Sequence, residues 1–177
     1  LVYEDPVTAL VSGCENFGQV QDYYYKLSES FYDHGHDNEF RALFDFAGVF
    51  CEYAAIKSSL HGLIKEAYDQ NDFERLKLGL KKIDNAHVKA RLLKNMYSDL
   101  WIKERKVFGL EMIEGRWATQ VSRLEFLSQR VQSYLSGAVT RLEELEMQHL
   151  DWEHGVDEPN KWHQQMLHYS QIFSRSG

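Results

Sequence analysis

A chain of 177 residues, 44% apolar and 27% charged, has the size and composition of one ordinary globular domain, or at most two small ones. Ten Phe, ten Tyr and four Trp supply enough apolar surface to argue against disorder, and a formal net charge of −7 makes nucleic acid a poor partner. No apolar run is long enough to cross a membrane, and Pro6 and Pro159 are the only prolines, where about 5% is usual. A chain with no proline from 7 to 158 predicts an all-α fold, an antiparallel bundle of about five to seven helices.

Residues 1–18 read as an irregular lead-in punctuated by Pro6, Gly13 and Gly18, with Asn16 placed to cap the first helix. The helical bundle is expected over 19–149. A first helix is predicted over 19–32, where Tyr24, Leu27 and Phe31 recur at helical spacing. Residues 33–38 read as a turn, with Asp37 as the next N-cap. A long helix comes next, over 38–68: Phe40, Leu43, Phe44, Ala47, Phe50, Tyr53, Ala54 and Leu60 step by threes and fours, and Phe46, Val49 and Ile56 widen the stripe. Such a stripe belongs to a central helix with neighbours on more than one side. Gly48 and Gly62 are expected to let another backbone come close.

Residues 69–72 form a second turn, and Asp72 starts a helix carrying Leu76, Leu80 and Ile83, expected to break at Asp84-Asn85. A further helix is predicted over 86–107, with Gly109 as an interruption or bend. Residues 110–135 carry a regular stripe through Trp117, Val121, Leu124, Leu127, Val131 and Tyr134, and Gly137 stops it. Thr140-Arg141-Leu142-Glu143 has the form of a capping box for a short helix to residue 149. Residues 150–177 read as a C-terminal loop with Gly155 and Pro159, then a short helix around Trp162, Met166 and Tyr169.

No constellation carries recognisable chemistry. His34-Gly35-His36-Asp37 reads as a solvated helix-capping turn, and His149, His154, His163 and His168 include no i, i+4 pair, so no metal and no cofactor are expected. Cys14 and Cys51 lack a C-x-x-C context and read as buried free thiols, which fits a reducing compartment and a cytoplasmic location, with a single disulfide between them as the alternative. Glu143, Glu144 and Glu146 diverge along one helix, whereas paired acid/base carboxylates converge across a cleft. The cluster Lys77, Lys81 and Lys82 is offset by Asp72 and Glu74.

Residues 100–117 stand apart, with two Trp, two Gly and alternating charge. Trp101 and Arg105 are four apart and able to stack, and on a continuous helix Trp101, Arg105, Phe108 and Met112 share a face. The plain alternative is a helix kinked at Gly109.

This segment resembles the W-x-x-E and K-x-F-G-L-E-x-x-x-x-R pattern of a bacterial branch of glycoside hydrolase family 20. Trp101, Glu104, Lys106, Phe108, Gly109, Leu110, Glu111 and Arg116 match it. Tyr3-Glu4-Asp5-Pro6-Val7 is similar to the segment that comes after the catalytic barrel in that family. Arg130-Val131-Gln132-Ser133-Tyr134-Leu135-Ser136-Gly137, with Leu142-Glu143-Glu144-Leu145, is similar to its ending, so the resemblance covers residues 1–147. It implies that the chain is the helical domain carried after the barrel of exo-acting β-N-acetylhexosaminidases, whose substrate-assisted chemistry uses a barrel Asp and the adjacent Glu. This chain shows no barrel strands, so neither role is carried over and no catalytic residue is expected.

On that basis residues 1–18 are the lead-in from a preceding catalytic domain, and the abrupt start at Leu1 reads as a fragment of a longer protein. The expected partners are the parent's barrel and a second copy of the chain, with Trp101, Arg105, Glu111 and Arg116 as docking candidates anchored by aromatic and Arg side chains. The alternative is a free-standing helical interaction module using the same stripe.

Overall fold

The structure, a computed structural model, describes residue 2 and residues 5–7, 17–36 and 39–146. Five helices run through them: α1 (Phe17–Gly35), α2 (Arg41–Asp69), α3 (Phe73–Glu104), α4 (Leu110–Leu135) and the single turn α5 (Glu143–Glu146). Among the described residues there is no strand, and the all-α fold read from the missing prolines is observed.

Successive long helices run antiparallel. Ser59 of α2 bonds Gln21 near the start of α1, while Phe31 and Phe44 meet at the other end. Arg75 pairs with Glu66 beside the α2–α3 turn, and Phe46 meets Tyr97 far from it. Ser98 bonds Glu114 near the α3–α4 corner, and Phe73 stacks on Tyr134 at the opposite end. Tyr53 of α2 meets Trp117 of α4 edge-on, so α2, α3 and α4 surround one core and α1 lies along α2.

The sequence explains this order. On α2, Ala54, Ala55 and Ile56 are buried in succession. Consecutive residues point 100° apart on a helix, so three in a row require neighbours on more than one side. On α3 the buried row is Leu76, Ile83, Ala86, Ala90 and Leu93, and on α4 it is Trp117, Leu124, Leu127 and Val131. Full burial of each large side chain contributes about 1.5–3 kcal/mol.

Two helix ends close in the same way. Asn71 takes a positive φ, its N–H bonds Tyr68 O, and Asp72 N–H reaches back to Ala67 O. This Schellman arrangement satisfies carbonyls that the helix end would leave open. Asp72 then caps α3 by accepting a hydrogen bond from Arg75 N at 2.9 Å. At the end of α4, Gly137 (φ 75°) repeats the arrangement through Tyr134 O and Ser133 O.

Several boundaries differ from expectation. The predicted break at Asp84-Asn85 is absent, and α3 is continuous for 32 residues. Both side chains point to solvent, where neither competes with the backbone, and the buried row runs through them. The turn expected at 33–38 starts later, because α1 continues through Gly35, with His34 Nδ1 bonded to Ser30 O one turn back. A Cβ on Gly35 would lie 2.7 Å from Phe44 Cβ, so glycine here allows α1 and α2 to converge. The N-cap of α2 is Phe40, whose ring offers no capping oxygen, and Asp37 and Asn16 lie outside the described residues. The helix predicted to reach 107 stops at Glu104. The short helix α5 begins at Glu143, two residues later than a cap at Thr140 requires. Gly48 faces the Tyr32 ring, not another backbone, and nothing lies within 4 Å of a Cβ at Gly62. The tail over 150–177 lies outside the described residues.

Candidate functional site

The corner between α3 and α4 is built from residues 101–111. Arg105 leaves the helix in an extended conformation, and Gly109 sits at φ 88°, a left-handed backbone that ends any continuation. The result is a complete reversal, not a kink. Trp101, Arg105, Phe108 and Met112 therefore do not share one helix face. Trp101 is half-buried and its Nε1 donates to Lys106 O at 2.8 Å, which ties the loop down over its own indole. The Arg105 guanidinium lies 4.9 Å from that ring, the stacking that the spacing predicted. Glu111 is exposed and accepts a hydrogen bond from Gly109 N at 2.9 Å, placing a carboxylate at the positive end of α4. Arg116 is half-buried on α4, next to Trp117, which enters the core.

The four docking candidates thus separate. Trp101 and Arg105 stack together beside a groove, Glu111 fastens the start of α4, and Arg116 lies more than a turn further along. The same corner leaves Phe108 85% and Val107 65% exposed, and Ile102 is exposed as well. The groove holds about 300 Å3 between the start of α2 and the end of α3. Phe40, Leu43, Phe46, Tyr97, Leu100 and Trp101 supply its apolar wall, and Glu39, Lys103, Glu104 and Arg105 its charges. Sequence reading missed the α2 side of this groove. Phe40 and Leu43 looked like core stripe, yet at the start of α2 they stand 56% and 55% exposed.

A second feature joins both ends of the described chain to α4. Asp5 accepts from Arg123, with Nη2 at 2.9 Å from Oδ2, and also from Val7 N at 2.9 Å. Val7 enters the core. One face further along, Arg130 Nε donates to Glu144 at 2.6 Å, and Leu142 and Leu145 are buried. Arg123 and Arg130 are seven residues apart, two turns on one face, so lead-in and α5 are latched side by side. Hydrogen bonding to Arg130 holds the Glu144 carboxyl below its ordinary range. Glu146 is held at about 2 by Arg141 and by the Tyr68 hydroxyl. Of the segments that carried the resemblance, residues 5–7, 130–137 and 142–145 thus help to define the fold.

Other polar groups bond internally. Tyr53 OH and Lys57 Nζ both donate to Gln120 Oε1, at 2.9 and 2.8 Å, where α2 meets α4. Lys82 donates to Gln21 and Ser59, and burial pulls its pKa down. Cys51 is a buried free thiol whose pKa burial raises, which disfavours the reactive thiolate. Cys14 lies outside the described residues. Among the described residues no three His, Cys, Asp or Glu side chains gather as a metal site, and no helix is long and apolar enough to cross a membrane.

No curated protein matches the chain. A family model described as the Glycoside Hydrolase 20C C-terminal domain does, and it matches residues 1–164. That span takes in the lead-in latch, the α3–α4 corner and the α5 latch, so the chain belongs to the glycoside hydrolase 20C C-terminal domain family.

Proposed function

We propose that the chain is a non-catalytic helical domain of an exo-acting β-N-acetylhexosaminidase, and that its work is to pack on the catalytic barrel that precedes it. The observation that carries this reading is the family match over 1–164 on a chain that folds as helices alone through its described residues. The only Asp-Glu pair in the sequence, Asp157-Glu158, lies outside the described residues and has no strand pattern around it. The latch of Asp5 on Arg123 supports contact on the α4 side, since chain preceding residue 5 arrives there, beside the exposed ring of Phe126. The parent hydrolyses terminal N-acetylhexosamine residues in this reading. It does so in a reducing, cytoplasmic compartment, in keeping with the buried free thiol of Cys51.

The test is an assay of this chain and of its parent with a chromogenic N-acetylglucosaminide. The parent is expected to turn over and the isolated chain not to. Turnover that survives repurification and tracks the folded fraction of the isolated chain would overturn the reading.

A further inference from the structure

We infer that Lys82 is a site of acyl transfer, its side-chain amine taking a small acyl group from an activated donor, a thioester or an acyl phosphate. The inference goes beyond the role of the domain in a hydrolase and does not depend on it.

Lys65, Lys77 and Lys89 are paired with Asp69, Glu74 and Glu52. Lys81, Lys103 and Lys106 stand exposed in water. Lys82 differs from both groups. It is half-buried where α1, α2 and α3 meet, and its Nζ donates to two neutral oxygens, Gln21 Oε1 at 3.0 Å and Ser59 Oγ. No carboxylate among the described residues pairs with it.

An ammonium group in such a place has given up water without gaining a countercharge. Burial accordingly lowers its pKa, so a larger share of the amine is neutral near physiological pH than for an exposed lysine. The neutral amine is the nucleophile. Its two hydrogens are held by Gln21 and Ser59, which leaves the lone pair for an incoming carbonyl carbon. The side chain is half-buried and not enclosed, so a small donor can reach it.

In the step a C–N bond forms between Nζ and the acyl carbon. The bond from that carbon to sulfur, or to the phosphate oxygen, breaks, and the thiolate or phosphate leaves with the electron pair. The extra proton on nitrogen goes to solvent, and nothing is oxidised or reduced. The charge of the product selects this class of modification. An amide is neutral, as its partners are. Its N–H can donate to Gln21 Oε1, and the Ser59 hydroxyl, which donates to Gln21 in the unmodified chain, can turn to the new carbonyl. A carbamate would bring a negative charge among neutral partners, and an iminium would keep the positive one, so both retain a desolvation cost that the amide removes.

The test treats the full 177-residue chain with acetyl phosphate and, separately, with acetyl-coenzyme A, and follows each lysine by peptide mass spectrometry. Lys82 is expected to be acetylated ahead of its exposed neighbour Lys81, and a lead in one arm alone identifies the donor. Gln21→Glu is isosteric and sets a carboxylate against Nζ, which restores the ammonium. Labelling of Lys82 should then fall by about tenfold or more, one pKa unit or more of opposite-charge stabilisation, with Lys81 unchanged. The new ion pair joins α1 to α3, so the melting temperature should hold or rise, and the slower labelling is then an effect of charge and not of unfolding. Should Gln21→Glu melt lower, Ser59→Asp brings the carboxylate from α2 instead, with the same fall expected. Lys82 labelled no faster than Lys81 in both arms, or at a rate indifferent to the added carboxylate, would overturn the inference.

Discussion

Gly109 decides the shape of the corner through its backbone alone. Its φ of 88° lies where L side chains are strained, yet a Cβ there would make only an ordinary 3.7 Å contact with Trp101. Gly109→Ala should therefore cost the left-handed penalty and little else, about 1–2 kcal/mol. In a chain of this size each kcal/mol lowers the melting temperature by about 2–4 °C. Gly109→Asn should lose less, because asparagine tolerates that conformation. Equal losses for the two would show that packing, not backbone, sets the requirement. Gly48 presents the opposite case. It lies inside α2 with ordinary helical geometry, and a Cβ would stand 2.5 Å from the Tyr32 ring. Alanine gains about 1 kcal/mol in helix propensity, while overpacking costs about 1–3 kcal/mol. The expected result of Gly48→Ala is a net loss in a thermal melt, reversed when Tyr32→Ala is added. A Gly48→Ala chain that melts higher than the parent would mean that the ring moves aside freely.

The element most dependent on side-chain charge is α5, a single turn held by Arg130–Glu144 and Arg141–Glu146. Both glutamates are held below the ordinary carboxylate value of 4.5 when folded, Glu146 at about 2. A carboxyl lowered by folding adds stability above its unfolded pKa and loses it as pH falls through the folded one. The latch should therefore weaken between about pH 4.5 and pH 2, with Leu142 and Leu145 leaving the core as it opens. Arg130→Met should cost about 1 kcal/mol near neutral pH, the scale of an ion pair close to the surface. Its melting curve should converge on that of the unsubstituted chain in acid, and a gap independent of pH would refute the ionic origin. The exposed Arg141–Glu146 pair should contribute less and fade with salt. Nothing in the sequence announces these latches. Asp5 and Arg123 are 118 residues apart, and periodicity reports which face of a helix is apolar, not which distant charge will meet it. Where one face was enough, the reading was sharp: the Trp117-to-Tyr134 stripe predicted 110–135, and α4 spans Leu110–Leu135. Asp84-Asn85 misled because a polar pair on the solvent face of a helix looks like a turn when neighbours are unknown. The two tryptophans of the corner differ for the same reason, one stacked under Arg105 at the surface and the other in the core.

At the scale of the whole molecule the open matter is where the domain begins. Composition and punctuation read residues 1–18 as a lead-in, yet Asp5, Pro6 and Val7 are buried against the bundle. Val7 is 1% exposed within the core, and its burial contributes about 1.5–3 kcal/mol. The Asp5 carboxylate accepts from both Arg123 and Val7 N, so it fixes the turn that delivers Val7 to the core as well as pairing a half-exposed guanidinium. A chain starting at residue 8 loses both contributions and opens a recess over α4. We expect it to be less stable by about 2–4 kcal/mol in a urea titration, chiefly the lost apolar burial. Two substitutions divide the effect. Val7→Ala should account for most of it and Asp5→Asn for less, since an ion pair near the surface contributes about 1 kcal/mol or below. The slope of the titration should change little, because few residues are removed from the folded unit. If the shortened chain unfolds at the same urea concentration as the full one, residues 5–7 are a passive linker, and the α4 side loses its support as the face turned toward a preceding domain. If it unfolds earlier by the stated amount, the bundle begins at Asp5, and the chain enters the fold beside Arg123 of α4.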